Sequence, residues 1–324
     1  MPQSSIAYAI GSARAPSRRP LGRSDLERLI SAAGYDEARR QLADMGYGSG
    51  QDEDAGQLSV KALEEACAFL RRVTPDPALT DAFLLRYDAQ NLKILLKARI
   101  LGEEPERLSA CGTIAPDVLR HAVSERVYKK LPAAFMEAMQ VLEKRVALKV
   151  DPMEIDAVID RAAFQMALER MKETKSDTAR QYFSAKADLQ NAVTALRLRA
   201  LKGLNVKPEQ LYLPGGSIKK WPEANDLEER LPRLFAAWPS GVREAVSLSS
   251  RDAARIPVLE KAAEDHLLSM WRPFRHEPFA VETLIGWLLA HERAAQAIRL
   301  IMAAKRNGFS EEALRERLRE AYGR

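Results

Sequence analysis

The chain has 324 residues, 46% of them hydrophobic, with 50 Lys and Arg against 45 Asp and Glu and a net charge of +5. That length suits two or three domains with a sizeable core, and no apolar run approaches the twenty or so residues of a membrane span. The only cysteines, Cys67 and Cys111, make no disulfide framework, and aromatics at 6%, not interleaved with bases, offer no stacking platform for single strands.

The first 23 residues hold four Arg and no acid, the pattern of a basic solvated arm. Ser24-Asp25-Leu26-Glu27-Arg28-Leu29 predicts a short helix, and Gly46-Tyr47-Gly48-Ser49-Gly50 a turn. Glu64 to Arg72 reads as a medium helix. Tyr87-Asp88-Ala89-Gln90-Asn91-Leu92 opens a long one, which runs through Leu96, Lys97 and Arg99 to Gly102. The series then restarts: Pro116 to Arg120 is short, Ile155 to Met171 medium, and Asp188-Leu189-Gln190-Asn191 opens a long helix through Leu196, Arg197 and Arg199 to Gly203. After the Leu213-Pro214-Gly215-Gly216 turn comes a weaker third pass. Its parts are Asp226 to Phe235, Val258 to Trp271, and Trp287 to Gly308 with Glu292, Arg299, Lys305 and Arg306.

Asp, Gln, Asn, Leu, a base and an Arg recur at the same offsets, 88 and 188, 90 and 190, 91 and 191, 96 and 196, 97 and 197, 99 and 199. A period of about a hundred residues sets the architecture. With strand periodicity absent, the expectation is an all-α chain of three similar helical domains, 1–112, 113–213 and 214–324, with the basic N-terminal arm reaching to about residue 23.

Asp88, Asn91, Leu95 and Arg99 share one helix face, as do Asp188, Asn191, Ala195 and Arg199. Asp and Asn compete with the backbone inside a helix, so their recurrence needs a cause. Either they bond to a neighbouring helix and fix its packing, or they line a cavity that meets a partner. The Asn pair fits the first role, and Arg99 with Arg199 the second. Bases before a closing Gly compensate a helix dipole or bind something.

Catalytic patterns are missing. His291-Glu292 begins like a zinc-protease signature, but position 295 is Ala. No phosphate loop or nucleophile elbow occurs, so neither enzyme activity nor a cofactor is expected. Gly215-Gly216-Ser217 with Lys219-Lys220 is either a plain turn or an anion site.

Asp88 to Lys93 with Leu95 to Ala98, the Leu213-Pro214-Gly215-Gly216 turn, Trp287 to Glu292, Arg299-Leu300-Ile301 and Lys305 to Gly308 together resemble the C subunit of archaeal and bacterial V-type (A-type) ATPases. That family includes the d subunit of eukaryotic vacuolar ATPases. The resemblance covers essentially the whole chain. It implies a funnel of three helical domains about a pseudo-threefold axis, seated on the cytoplasmic face of the membrane as a peripheral, non-catalytic subunit. Its partners would be the central shaft subunits (D/F type) and the proteolipid rotor ring, with membrane contact through that ring and the chain a monomer within a hetero-complex. Its role would be to pass torque between ATP turnover and ion transport. Interface or interdomain candidates are Asp88, Asn91, Lys97, Arg99, Asp188, Asn191, Arg197, Arg199, Glu292 and Arg299. The chain departs from the family pattern at Ala295, where an acid of a Glu-x-Glu pair is expected, and in the third repeat, which has no Asp-x-x-Asn ladder. The competing classes are a helical-repeat adaptor and a basic nucleic-acid-binding helical protein. Solenoid repeats run 20 to 50 residues, and nucleic-acid binding wants bases gathered on one face, whereas Glu103 and Glu104 follow Lys93, Lys97 and Arg99. No nucleic-acid partner is expected.

Overall fold

The computed structural model describes residues 5–15, 19–47, 54–146, 151–200 and 208–322. Gly48 to Gly50 of the predicted turn, Arg18 of the basic arm, and Gly203 lie outside the described residues. Fifteen α-helices and no strand occur among the described residues. In chain order they are α1 (Ile6–Ala13), α2 (Arg23–Ser31), α3 (Tyr35–Asp44), α4 (Ala55–Val73), α5 (Pro77–Leu101), α6 (Pro116–Ser124), α7 (Ala133–Val146) and α8 (Pro152–Glu173). Then follow α9 (Asp177–Ala200), α10 (Pro208–Leu211), α11 (Leu227–Leu234), α12 (Ser240–Arg251), α13 (Ile256–Ser269), α14 (Glu282–Arg306) and α15 (Glu311–Arg317).

Local chemistry fixes these boundaries. Asp54 caps α4 by accepting from the Gly56 amide at 2.7 Å, and Asp151 caps α8 by accepting from the Met153 amide at 2.7 Å. Asp76 accepts from the Leu79 amide at 2.9 Å where α5 begins. Ser176 accepts from the Ala179 amide at 3.2 Å where α9 begins, a hundred residues on. At the other end, Gly102 (φ 72°) and Gly308 (φ 68°) take the left-handed conformation. The amides of Glu103 and Phe309 then return to the carbonyls of Ala98 and Ala304, each at 3.0 Å.

The chain forms two compact units, residues 1–80 with 268–324, and residues 81–267. In the first, α14 packs along α4, with α1, α2, α3 and α15 against it. Leu26, Leu29, Ile30, Leu42, Ile298 and Ile301 form much of its core, and Phe69 meets Trp287 edge-on at 5.4 Å. In α14 every residue from Thr283 to Ala295 is buried. His291, Glu292 and Arg293 therefore belong to the core rather than to the polar side of an amphipathic helix, because this part of α14 is covered all round. The basic arm also differs from expectation. It contains α1, with Ala9, Ile10 and Ala13 buried, and Arg14 donates to the carbonyl oxygens of Arg275 and Glu277.

In the second unit α7 packs on α8, and α11 on α12. Phe83 of α5 lies 5.1 Å from both Tyr182 and Phe183 of α9, and Phe164 of α8 is 5.5 Å from Phe183. Such ring pairs add a little to what their area burial contributes. Cys67 and Cys111 are both buried thiols outside any disulfide.

A repeated carboxylate clasp and cationic brace on the long helices

The polar ladders resolve into one device built twice. In α5, Asp88 Oδ2 accepts from the Thr113 amide (2.8 Å) and hydroxyl (2.7 Å), and Oδ1 accepts from the Ile114 amide (3.0 Å). In α9, Asp188 Oδ2 accepts from the Ser217 amide (3.0 Å) and hydroxyl (2.6 Å), and Oδ1 from the Ile218 amide (3.0 Å). Asn91 exchanges two hydrogen bonds with the backbone of Ser109, both 2.8 Å, and Asn191 does the same with Leu213 at 3.0 and 2.7 Å. All four side chains are almost wholly buried. The partner is the loop after each long helix, not a neighbouring helix, because only irregular backbone has amides and carbonyls left to pair.

Sequence reading missed the other half of this device. Ser109-x-x-Gly112-Thr113-Ile114 and Leu213-x-x-Gly216-Ser217-Ile218 match at an offset of 104, not 100, so a fixed-offset comparison passes over them. A Cβ on Gly112 would lie 2.1 Å from Asp88 Oδ1, and one on Gly216 2.2 Å from Asp188 Oδ1. Glycine lets the backbone close on the carboxylate. The turn weighed as an anion site is thus an anion nest already filled, by the chain's own Asp188.

Below each clasp sits a cationic brace. Arg99 donates to the Val123 carbonyl at 2.6 Å, at the end of α6, and Arg199 donates to the Ser250 carbonyl at 2.6 Å, at the end of α12. Lys305 of α14 donates to the Ala32 carbonyl at 2.5 Å, at the end of α2. Arg99 and Lys305 each stand three residues before a left-handed Gly. A cation on the last carbonyls of a helix satisfies an orphan acceptor and opposes the dipole. By this criterion the third short helix is α12 rather than the Asp226 to Phe235 stretch, which forms α11. Arg99 also meets Glu143 at 2.5 Å and the Tyr128 hydroxyl, while Tyr128 donates to Glu143. Burial disfavours charge on Glu143, but the bonds from Tyr128 and Arg99 outweigh it and hold the carboxyl below the ordinary range. Burial and then Glu143 push Tyr128 up to about 12. Both guanidinium groups are thus engaged inside the chain.

Of the other candidates, Lys97 pairs with Asp156 at 2.6 Å and Arg197 pairs with Glu260. Each ties a long helix to the medium helix of the next repeat, α8 or α13. Glu292 is buried and Arg299 exposed. Counting from Arg99 and Lys305 (a shift of 206), Gln90 falls on Gln296, and Gln190 is the third member. All three Gln are exposed in the midst of buried helix neighbours.

No group of three metal-ligating side chains occurs among the described residues, and none of their helices is long and apolar enough to cross a membrane. A cleft of about 890 Å³ lies beside the second clasp. Arg161, Arg199, Lys219 and Lys220 line it, and the first three donate to the carbonyls of Tyr212, Ser250 and Gly216. Those three bonds fix backbone.

The described residues form an all-helical protein in which the buried Asp88, Asn91, Asp188 and Asn191 bond to the chain's own loops. The family described as ATP synthase (C/AC39) subunit matches residues 9–317. The C subunit of the V-type sodium ATPase of Enterococcus hirae is 24% identical over 78% of this chain and 78% of its own length. The C subunit of the A-type ATP synthase of Thermococcus onnurineus is 26% identical over 81% of this chain and 75% of its own. That of Methanosarcina mazei is 24% identical over 97% and 93%. The chain belongs to the ATP synthase (C/AC39) subunit family.

Proposed function

We propose that this chain is the non-catalytic central-stalk subunit of a rotary V-type or A-type ATPase. It sits peripherally on the cytoplasmic face of the membrane, joins the central shaft subunits to the proteolipid rotor ring, and passes torque between ATP turnover and ion transport. The family match from residue 9 to residue 317 carries this reading. Its architecture would be three similar domains, 1–112, 113–213 and 214–324, in a pseudo-threefold funnel. The recurring braces of Arg99, Arg199 and Lys305 support that arrangement. A torque coupler must be stiff. Here each of two inter-repeat loops is tied to its long helix by two buried polar side chains, in a close-packed helical interior.

Affinity purification of the tagged full chain from native membranes in mild detergent tests the reading. The ATPase head, the shaft and the proteolipid should co-purify in fixed ratio. Elution of the chain alone, or nucleotide hydrolysis by the purified chain that a point mutation within it abolishes, would overturn it.

A further inference from the structure

The C-terminal end of the chain is used by neither the clasps nor the braces. After α15 the backbone runs on without helix, with Leu318 and Ala321 packed against the core that α14 shares with α2. Tyr322 donates its hydroxyl to the Trp271 carbonyl at 2.8 Å, and its phenol end sits against Gly286 in the first turns of α14. A Cβ on Gly286 would stand 2.2 Å from the hydroxyl oxygen and 2.8 Å from Cζ. Glycine weakens a helix interior relative to alanine, and here the absent methyl group is the space that the phenol fills. Burial pushes Tyr322 up to about 12, so it stays a donor at neutral pH. Beside it Glu320 pairs with Arg272 at 2.5 Å.

These contacts fall on one turn, residues 271–277. A relay of backbone bonds runs through it: the Phe274 amide donates to the Trp271 carbonyl at 3.2 Å, and the Glu277 amide to the Phe274 carbonyl at 3.1 Å. The Thr283 hydroxyl of α14 lies 2.7 Å from the Phe274 carbonyl and 2.8 Å from that of Glu277. Arg14 of α1 donates to the carbonyls of Arg275 and Glu277 at 3.1 and 3.2 Å. Tyr322 at one end of the relay and Arg14 at the other therefore grip the same short piece of backbone. Contiguous hydrogen bonds of this kind carry coupling from one end to the other.

We propose that residues 318–322 are a latch, with Tyr322 in the Gly286 notch as its catch, that locks the 271–277 turn and, through that turn, α1 onto α14. The strap has no helical ladder of its own and hangs on side-chain contacts, so it belongs to the low end of local stability. Its opening uncovers α14 at Gly286, withdraws a donor from the Trp271 carbonyl and slackens the hold of the turn on Arg14. Residues 81–267 keep their own core throughout. The two ends of the chain thus loosen together.

Hydrogen exchange of the full-length chain, read by mass spectrometry on peptides from α1, the 271–277 turn and α9, tests the latch. Tyr322→Ala should raise exchange about five- to tenfold at the turn, raise it to a lesser degree in α1, and leave α9 at its wild-type rate. Gly286→Ala should do the same, although alanine is the better helix former. It should add nothing in the Tyr322→Ala background, where the notch is empty. Arg14→Ala and Tyr322→Ala combined should raise exchange at the turn by less than the product of their single effects, because each loosens what the other holds. Tyr322→Phe keeps the ring and loses only the bond to Trp271, so it remains a folded probe if Tyr322→Ala does not fold. Wild-type exchange at the turn in both Tyr322 variants, or throughout the chain in Gly286→Ala, would overturn the latch. Fully multiplicative effects of Arg14→Ala and Tyr322→Ala would overturn its lock on α1.

Discussion

Gly216→Ala tests the clasp through a single added methyl group. The new Cβ would lie 2.2 Å from Asp188 Oδ1 and 3.1 Å from its Cγ, where ordinary contact begins near 3.4 Å. The carboxylate must retreat by about 1 Å, and Asp188 is only 1% exposed, so it retreats into protein rather than water. It accepts three hydrogen bonds from Ser217 and Ile218 at 2.6 to 3.0 Å. A movement of that size breaks at least two of them. At about 1.5–3 kcal/mol for each bond to a charged group, the loss is about 3–6 kcal/mol. For a folding unit of this size that lowers the melting temperature by roughly 6–24 °C. Circular dichroism gives the melting curve, and hydrogen exchange at the Ser217 and Ile218 amides gives the local readout. Asp188→Ala supplies the second arm of a double-mutant cycle. Once the carboxylate is gone the extra methyl has space, so Gly216→Ala should cost little in that background. Gly112→Ala should behave alike or worse, because its Cβ would also approach the Asp88 backbone nitrogen at 3.3 Å. A Gly216→Ala protein that melts within about a degree of wild type with both amides still protected would refute the clasp.

Asn91→Ala and Asn191→Ala each strand one loop amide and one carbonyl, part-buried at Ser109 and buried at Leu213, and each should cost about 1–3 kcal/mol; unchanged denaturant midpoints would contradict this. Glu143 has its folded pKa below the ordinary value of 4.5, so its stabilisation is present above pH 4.5 and is lost as pH falls through the folded value. Glu143→Gln should therefore be less stable than wild type at pH 7 and lose less on acidification; parallel acid limbs would refute the sign. Lys305→Ala removes the brace on α2 and should cost about 1–2 kcal/mol, with Lys305→Arg restoring most of it. Equal melting of all three forms would remove Lys305 from the set.

The helical class and the long helices were legible because apolar spacing and paired Gly stops report local backbone directly. The recurrence of Asp88 and Asn91 at 188 and 191 was legible for the same reason, since nothing is inserted between the two long helices. What those side chains touch was not. Their partners lie beyond a loop whose length differs by four residues, so Gly112 and Gly216 fall out of register with the helices they serve. The brace partners were hidden because Val123, Ser250 and Ala32 act through backbone carbonyls, which leave no mark on residue identity. Burial of His291, Glu292 and Arg293 was equally invisible, since three polar residues in a row read as a wet face unless the helix is enclosed on every side.

The third long helix explains why its repeat is faint. Set in register by its brace, α14 places Ala294 and Ala297 where α5 has Asp88 and Asn91. Both are buried in the apolar core with Leu26, Leu29 and Ile30. In α5 and α9 the clasp holds the loop that follows the long helix and leads on to α6 or to α11. After α14 the chain passes through Ser310 into α15, and the short helix braced by Lys305 is α2, from the opposite end of the sequence. A carboxylate at position 294 would sit in apolar surroundings with no loop amides to accept from, at a cost of several kcal/mol. A methyl group is the stable choice. Gln296 survives at the Gln90 and Gln190 position because it is exposed and has no part in the clasp. The clasp thus follows chain connectivity, and the exposed amide follows the register of the helix. Residues that persist through all three copies, independent of any internal bond, are where a partner that meets every repeat would be sought.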